Sequence, residues 1–120
     1  MEKTSSGLQE NVASLLCYLF LWLSGLIFLL IEPNNKTVRF HAIQSICFTV
    51  IVGVVSIAIA ILSAILTAIV GALWFIGGFL GFVFGTLAFI VWILLMVRAY
   101  QEKLWKLPVI GEMAAKWAGI

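Results

Sequence analysis

The stretch AIQSICFTVIVGVVSIAIAILSAILTAIVGALWFIGGFLGFVFGTLAFIVWILLMV, residues 42–97, decides the fold class, because its fifty-six residues include no Asp, Glu, Lys, Arg, His or Pro. A helix rises about 1.5 Å per residue and must cover about 30 Å of hydrocarbon, so one crossing takes about 20 residues. This block therefore holds two crossings and a turn. Upstream, Val12 to Ile31 is a second apolar stretch of the same character. With 64% hydrophobic and 10% charged residues over 120 positions, the chain reads as one small integral membrane domain. No stretch is left for a soluble catalytic domain, which usually needs at least about 50 residues.

The boundaries read from the sequence are a polar N-terminal tail 1–11, helix 12–31, basic loop 32–41, helix 42–66, turn 67–78, helix 79–100 and amphipathic tail 101–120. The expected fold is an all-α integral membrane protein with three transmembrane helices and a short C-terminal interfacial amphipathic helix. Charge supports three spans over four. Lys36 and Arg39 lie in the loop, Arg98, Lys103, Lys106 and Lys116 lie around the tail, and Lys3 is the one basic residue on the other side. The positive-inside bias then puts the protein in the cytoplasmic membrane, N-terminus outside and both basic segments cytoplasmic. A four-span reading would separate the basic loop from the basic tail.

Local signals refine these boundaries. Ser6 with Gln9 matches a capping box ahead of the first helix, and Glu32-Pro33-Asn34-Asn35 stops it, since the residue before proline disfavours the helical well. Its length and flanks distinguish it from a cleaved signal peptide. Gly71 and Gly77-Gly78 supply freedom for the turn, with Trp74 as an interfacial anchor. Pro108 suits the first turn of a tail helix on which Ile110, Met113 and Trp117 share one face and Glu112 and Lys116 pair four apart. That pattern reads as a helix lying on the membrane, with Trp105 and Trp117 at head-group depth.

Small residues recur at spacing four on two segments: Ser56, Ala60, Ala64 and Ala68, then Gly77, Gly81 and Gly85. These stripes are expected to pack against each other, or one of them to serve a homo-oligomer, because close backbone approach drives helix association in lipid. Cys17 and Cys47 are expected to be unbridged thiols at different depths. A single His and no metal-binding spacing point to no metal and no cofactor. The absence of a Ser/His/Asp set, of paired carboxylates and of a phosphate-cradling glycine loop with Lys points away from an enzyme. The small net charge of +2 gives no reason to expect nucleic acid.

The remaining polar residues gather at one membrane face. Arg39, His41, Gln44 and Ser45, with Lys106 and Glu112 from the tail, are the candidate surface for docking a partner or lipid. Gln44 is the amide expected to sit below the interface, where it needs hydrogen-bond partners.

Leu16-Cys17-Tyr18-Leu19, Ser24 through Glu32, Val38-Arg39-Phe40-His41-Ala42-Ile43-Gln44-Ser45 and Lys106 through Glu112 resemble an uncharacterised family of small bacterial and archaeal membrane proteins. That family is similar to the twenty-kilodalton Tic component of the chloroplast inner-envelope import machinery. The resemblance implies a non-enzymatic component assisting protein translocation or membrane insertion, as a homo-oligomer or with partner membrane proteins. The plastid relative is usually drawn with four helices, against the three that charge supports here. The residues alone leave a second reading, a structural or regulatory membrane module that binds anionic lipid or a larger membrane complex. Three helices cannot enclose a polypeptide pore by themselves, and spans without charge lack the usual mark of ion paths.

Overall fold

A computed structural model describes residues 7–32, 34–101, 106–107 and 110–119. Ser6, Pro33, Trp105 and Pro108, on which the capping box, the first helix stop, one aromatic anchor and the tail-helix start depend, lie outside the described residues. Among these described residues five α-helices follow in chain order: α1 (Glu10–Leu19), α2 (Trp22–Ile31), α3 (Lys36–Ile69), α4 (Trp74–Tyr100) and α5 (Ile110–Ala118), with a 3-10 turn at Gly71–Leu73. Two helical stretches, Lys36–Ile69 and Gly71–Tyr100, are long and apolar enough to cross a bilayer.

The expected first crossing is corrected. Residues 12–31 form not one helix but two of ten residues each, and about 15 Å of helix reaches half the hydrocarbon thickness. The chain breaks at Leu21, whose φ of 55° is uncommon for a residue with a Cβ. The basic loop is also shorter than expected, since α3 begins at Lys36, and the turn before α4 closes by Leu73 rather than residue 78.

The chain divides into two compact units, Met1–Thr49 with Trp92–Ile120, and Val50–Val91. In the first, α1 and α2 pack with the start of α3 around Ala13, Cys17, Phe28, Val38 and Ala42. Gly25 permits that approach. A Cβ there would stand 2.9 Å from the Ala42 carbonyl oxygen. α5 packs its alanine face, Ala114, Ala115 and Ala118, on Phe40 and Ile43 of α3.

α1 and α2 form a hairpin whose two ends lie together. Asn35 Nδ2 donates to Glu10 Oε2 (3.1 Å), and its Oδ1 accepts from the Val38 N–H (3.0 Å), capping α3. Asn11 Nδ2 donates to the Tyr100 carbonyl at the end of α4 (3.3 Å). The start of α1, the start of α3 and the end of α4 thus share one end of this unit. This overturns the expectation that the N-terminal segment and the tail lie on opposite faces, and it follows from the reversal at Leu21.

In the second unit the facing residues are apolar. Val52, Val55, Ile59, Ser63 and Leu66 of α3 are half-buried, as are Ile76, Phe84, Ala88 and Val91 of α4, with Gly77 buried. The close approach lies at Gly77, where a Cβ would overlap the Ser63 side chain. Ser56, Ala60, Ala64 and Ala68 are exposed, and a Cβ on Gly81 or Gly85 would meet open space. The packing face is therefore centred on Ser63 and on Gly77, the one member of the two small-residue stripes that lies in it, and the larger Val and Ile side chains interlock around that glycine.

Candidate functional site

A helix break inside an apolar environment exposes backbone groups that water cannot reach, so side chains must satisfy them. At the α1–α2 turn, Ser24 Oγ accepts from the Phe20 N–H (3.1 Å) and donates to the Cys17 carbonyl (3.1 Å). Ser45 Oγ of α3 donates to the Leu21 carbonyl (2.8 Å), and Trp92 Nε1 of α4 donates to the Tyr18 carbonyl (2.6 Å). Three side chains from three helices thereby stabilise one turn. Ser24 and Trp92 were not among the expected site residues. The signal for Ser24 was present in the pair Ser24-Gly25 within an otherwise apolar run, where a hydroxyl and a missing Cβ mark a place to bend.

Beside the turn runs a chain of hydrogen bonds through fully buried side chains. The Leu107 N–H donates to Gln44 Oε1 (3.1 Å), Gln44 Nε2 donates to Tyr18 Oη (2.9 Å), and Tyr18 Oη lies 2.8 Å from His41 Nδ1. Tyr18 Oη thus bridges the Gln44 amide and the His41 ring, using its capacity both to accept and to donate. His41 Nε2 and Ser14 Oγ are buried with no hydrogen-bond partner among the described residues. An orphan of that kind costs about 1–3 kcal/mol. The ring of His41 is held edge-on by Tyr18 (5.4 Å, 77°) and Phe40 (5.1 Å, 72°).

This chain of bonds joins α1, α3 and the tail. Gln44 is buried and bonded through both ends of its amide, and it faces inward, as do His41 and Ser45. Those three do not present a surface. Arg39, half-buried, and Lys106 and Glu112, both exposed, do. The six residues expected to act together are thus divided into an internal polar cluster and an outer charged rim.

The rim surrounds α5. Arg39 Nη2 donates to the Trp117 carbonyl (3.4 Å). The Lys36 side chain lies 3.7 Å from where a Cβ on Gly119 would stand, and Lys106 lies so close to Gly111 that no Cβ fits there. Cations at the C-terminal end of a helix offset its dipole. Cys17 and Cys47 are free thiols, and Cys17 Sγ donates weakly to the Val38 carbonyl (3.8 Å). Among the described residues no group of three or more His, Cys, Asp or Glu side chains is placed to hold a metal ion.

The model of the magnetosome magnetite crystal formation protein family matches residues 8–114. A UPF0132 membrane protein of Methanocaldococcus jannaschii is 40% identical over 118 residues, covering 98% of this chain and 96% of the relative. A second from the same organism is 35% identical, over 92% of this chain and 71% of its own length. One from Archaeoglobus fulgidus is 34% identical, over 93% and 98%. These matches support the archaeal membrane-protein half of the expected resemblance and show no similarity to the Tic component. No solved structure matches.

Proposed function

The chain belongs to the magnetosome magnetite crystal formation protein family, and we propose that it is a non-enzymatic structural or regulatory membrane module whose α5 rim docks onto other membrane constituents. The family description concerns magnetite crystals, while the archaeal relatives are described as membrane proteins. Only what the relatives' descriptions give, a place in a membrane, enters this reading.

The observation that carries it is the bond chain from Leu107 through Gln44 and Tyr18 to His41. It engages the Gln44 amide, the Tyr18 hydroxyl and His41 Nδ1 in fastening helices, which supports a structural role for them. What faces outward is the α5 rim. A photoreactive residue at position 112 or 116, crosslinked in native membranes, should give discrete lipid or protein adducts, whereas one at position 57 or 87, on exposed apolar helix, should give bulk acyl chains only.

The translocation role implied by the Tic resemblance is separable from this one. Depletion of the protein should leave precursor export and membrane insertion unchanged. Accumulated precursors, together with α5 crosslinks to precursor chains, would replace the module reading with the translocation one.

A further inference from the structure

α5 presents three faces. Gly111, Ala114, Ala115 and Ala118 are buried against the unit; Met113 and Trp117, 41% and 57% exposed, point away from it; Glu112 and Lys116 form a charged edge between them. A nine-residue helix held to a protein by alanines has no need of an exposed tryptophan beside a methionine. At a bilayer surface that pair has a place, since indole rings are favoured at head-group depth.

Charge indicates which surface. Lys36 lies against Gly119, Arg39 bonds to the Trp117 carbonyl, Lys106 lies against Gly111, and Lys116 is on α5 itself. Four cations thus flank α5 against its single carboxylate, Glu112. Lys36, Arg39 and Lys116 gather at the C-terminal end of α5, where they also offset its dipole. The surplus matches the phosphates of an anionic leaflet, toward which each Lys or Arg near the surface adds about a five-fold preference.

Building on the module reading, we propose that α5 with Lys36, Arg39 and Lys116 is a contact surface for anionic phospholipid of the bilayer that holds the protein. Trp117 and Met113 enter the acyl boundary, and the three cations gather head groups around them. The negative charge of Glu112, four residues before Lys116 on the same helix, weakens this attraction without abolishing it.

The full-length chain in nanodiscs of phosphatidylcholine, doped with a small fraction of brominated phosphatidylglycerol or brominated phosphatidylcholine, tests this. The Trp117 signal is the difference in fluorescence between the wild type and Trp117→Phe. Brominated phosphatidylglycerol should quench Trp117 several-fold more than brominated phosphatidylcholine. Lys36→Gln and Lys116→Gln should each lower that ratio, by up to about five-fold per charge at low salt. Arg39→Lys, which keeps the charge, should preserve it, Glu112→Gln should raise it, and salt should reduce it in every variant as screening shortens. Equal quenching by the two lipids in the wild type would overturn the proposal, as would a ratio indifferent to Glu112→Gln and to salt. Because Glu112 is exposed, its variant remains informative should a lysine variant fail to fold. The quenching is read on purified protein, so precursor accumulation on depletion would remove the module reading and leave this one standing, and absent enrichment would do the reverse.

Discussion

The unit built from Met1–Thr49 and Trp92–Ile120 and the unit Val50–Val91 are held together by different means. In the first, Tyr18, His41, Gln44 and Ser45 are buried and joined to backbone or to one another. In the second, the facing side chains are Val, Ile, Leu and Phe around a glycine–serine approach, and Thr86 bonds within its own helix to the Phe82 carbonyl (2.8 Å). Dispersion holds an apolar helix pair without specifying much beyond distance. A turn buried in an apolar environment cannot be held that way, because its open carbonyls need donors. The polar residues of this chain are concentrated where the backbone is irregular.

The substitution expected to separate the units most is Gly25→Leu. The nearest atom to its Cβ is a backbone oxygen that cannot move aside, so the first unit should lose about 3 kcal/mol, the upper end of ordinary overpacking. Thermal unfolding in detergent, followed by tryptophan fluorescence, should show an early transition for Trp92, compared with a Trp92→Phe background.

Gln44→Leu comes next. It leaves the Leu107 N–H without its partner and takes from the Tyr18 hydroxyl one of its two, at a cost of about 2 kcal/mol. The tail should loosen first, giving faster proteolysis after Lys106 at unchanged helix content. Proteolysis at the wild-type rate would mean that the bond chain does not hold the tail.

In the second unit, Gly77→Leu should cost about 1–2 kcal/mol by forcing α3 and α4 apart at Ser63, while Gly81→Leu should leave the folded monomer unchanged. If Gly81→Leu unfolds the monomer, the small-residue stripe is the packing face after all. If instead it abolishes a crosslinked dimer alone, the stripe serves assembly. The smallest expected effect is that of Ser45→Ala, about 1 kcal/mol for one lost bond to the Leu21 carbonyl, read as a slightly earlier unfolding of the first unit.

Legibility divided along the same line as the units. The two long helices, the absence of charge between Ala42 and Val97, the tail helix at Ile110–Ala118 and the proximity of loop and tail all follow from the sequence. Hydropathy reports a property of each residue that the fold cannot change. The hairpin was missed because Val12 to Ile31 is largely apolar, and a hydropathy pattern cannot tell one long helix from two ten-residue helices that fold back on each other. Of the small-residue stripes only Gly77 lies in the packing face, because small residues at spacing four mark where helices are able to approach, not where larger neighbours make approach favourable.

Composition and the order of residues alone determined that this chain enters a bilayer, that α3 and α4 are long enough to cross it, and that Gln44 would need partners. Only the tertiary structure decided that the first apolar stretch doubles back at Leu21, and that Ser24, Ser45 and Trp92 supply the donors and acceptor its turn requires. The physical reason is range: transfer to lipid is summed residue by residue, whereas satisfying a buried carbonyl depends on a side chain as many as 74 positions away along the chain.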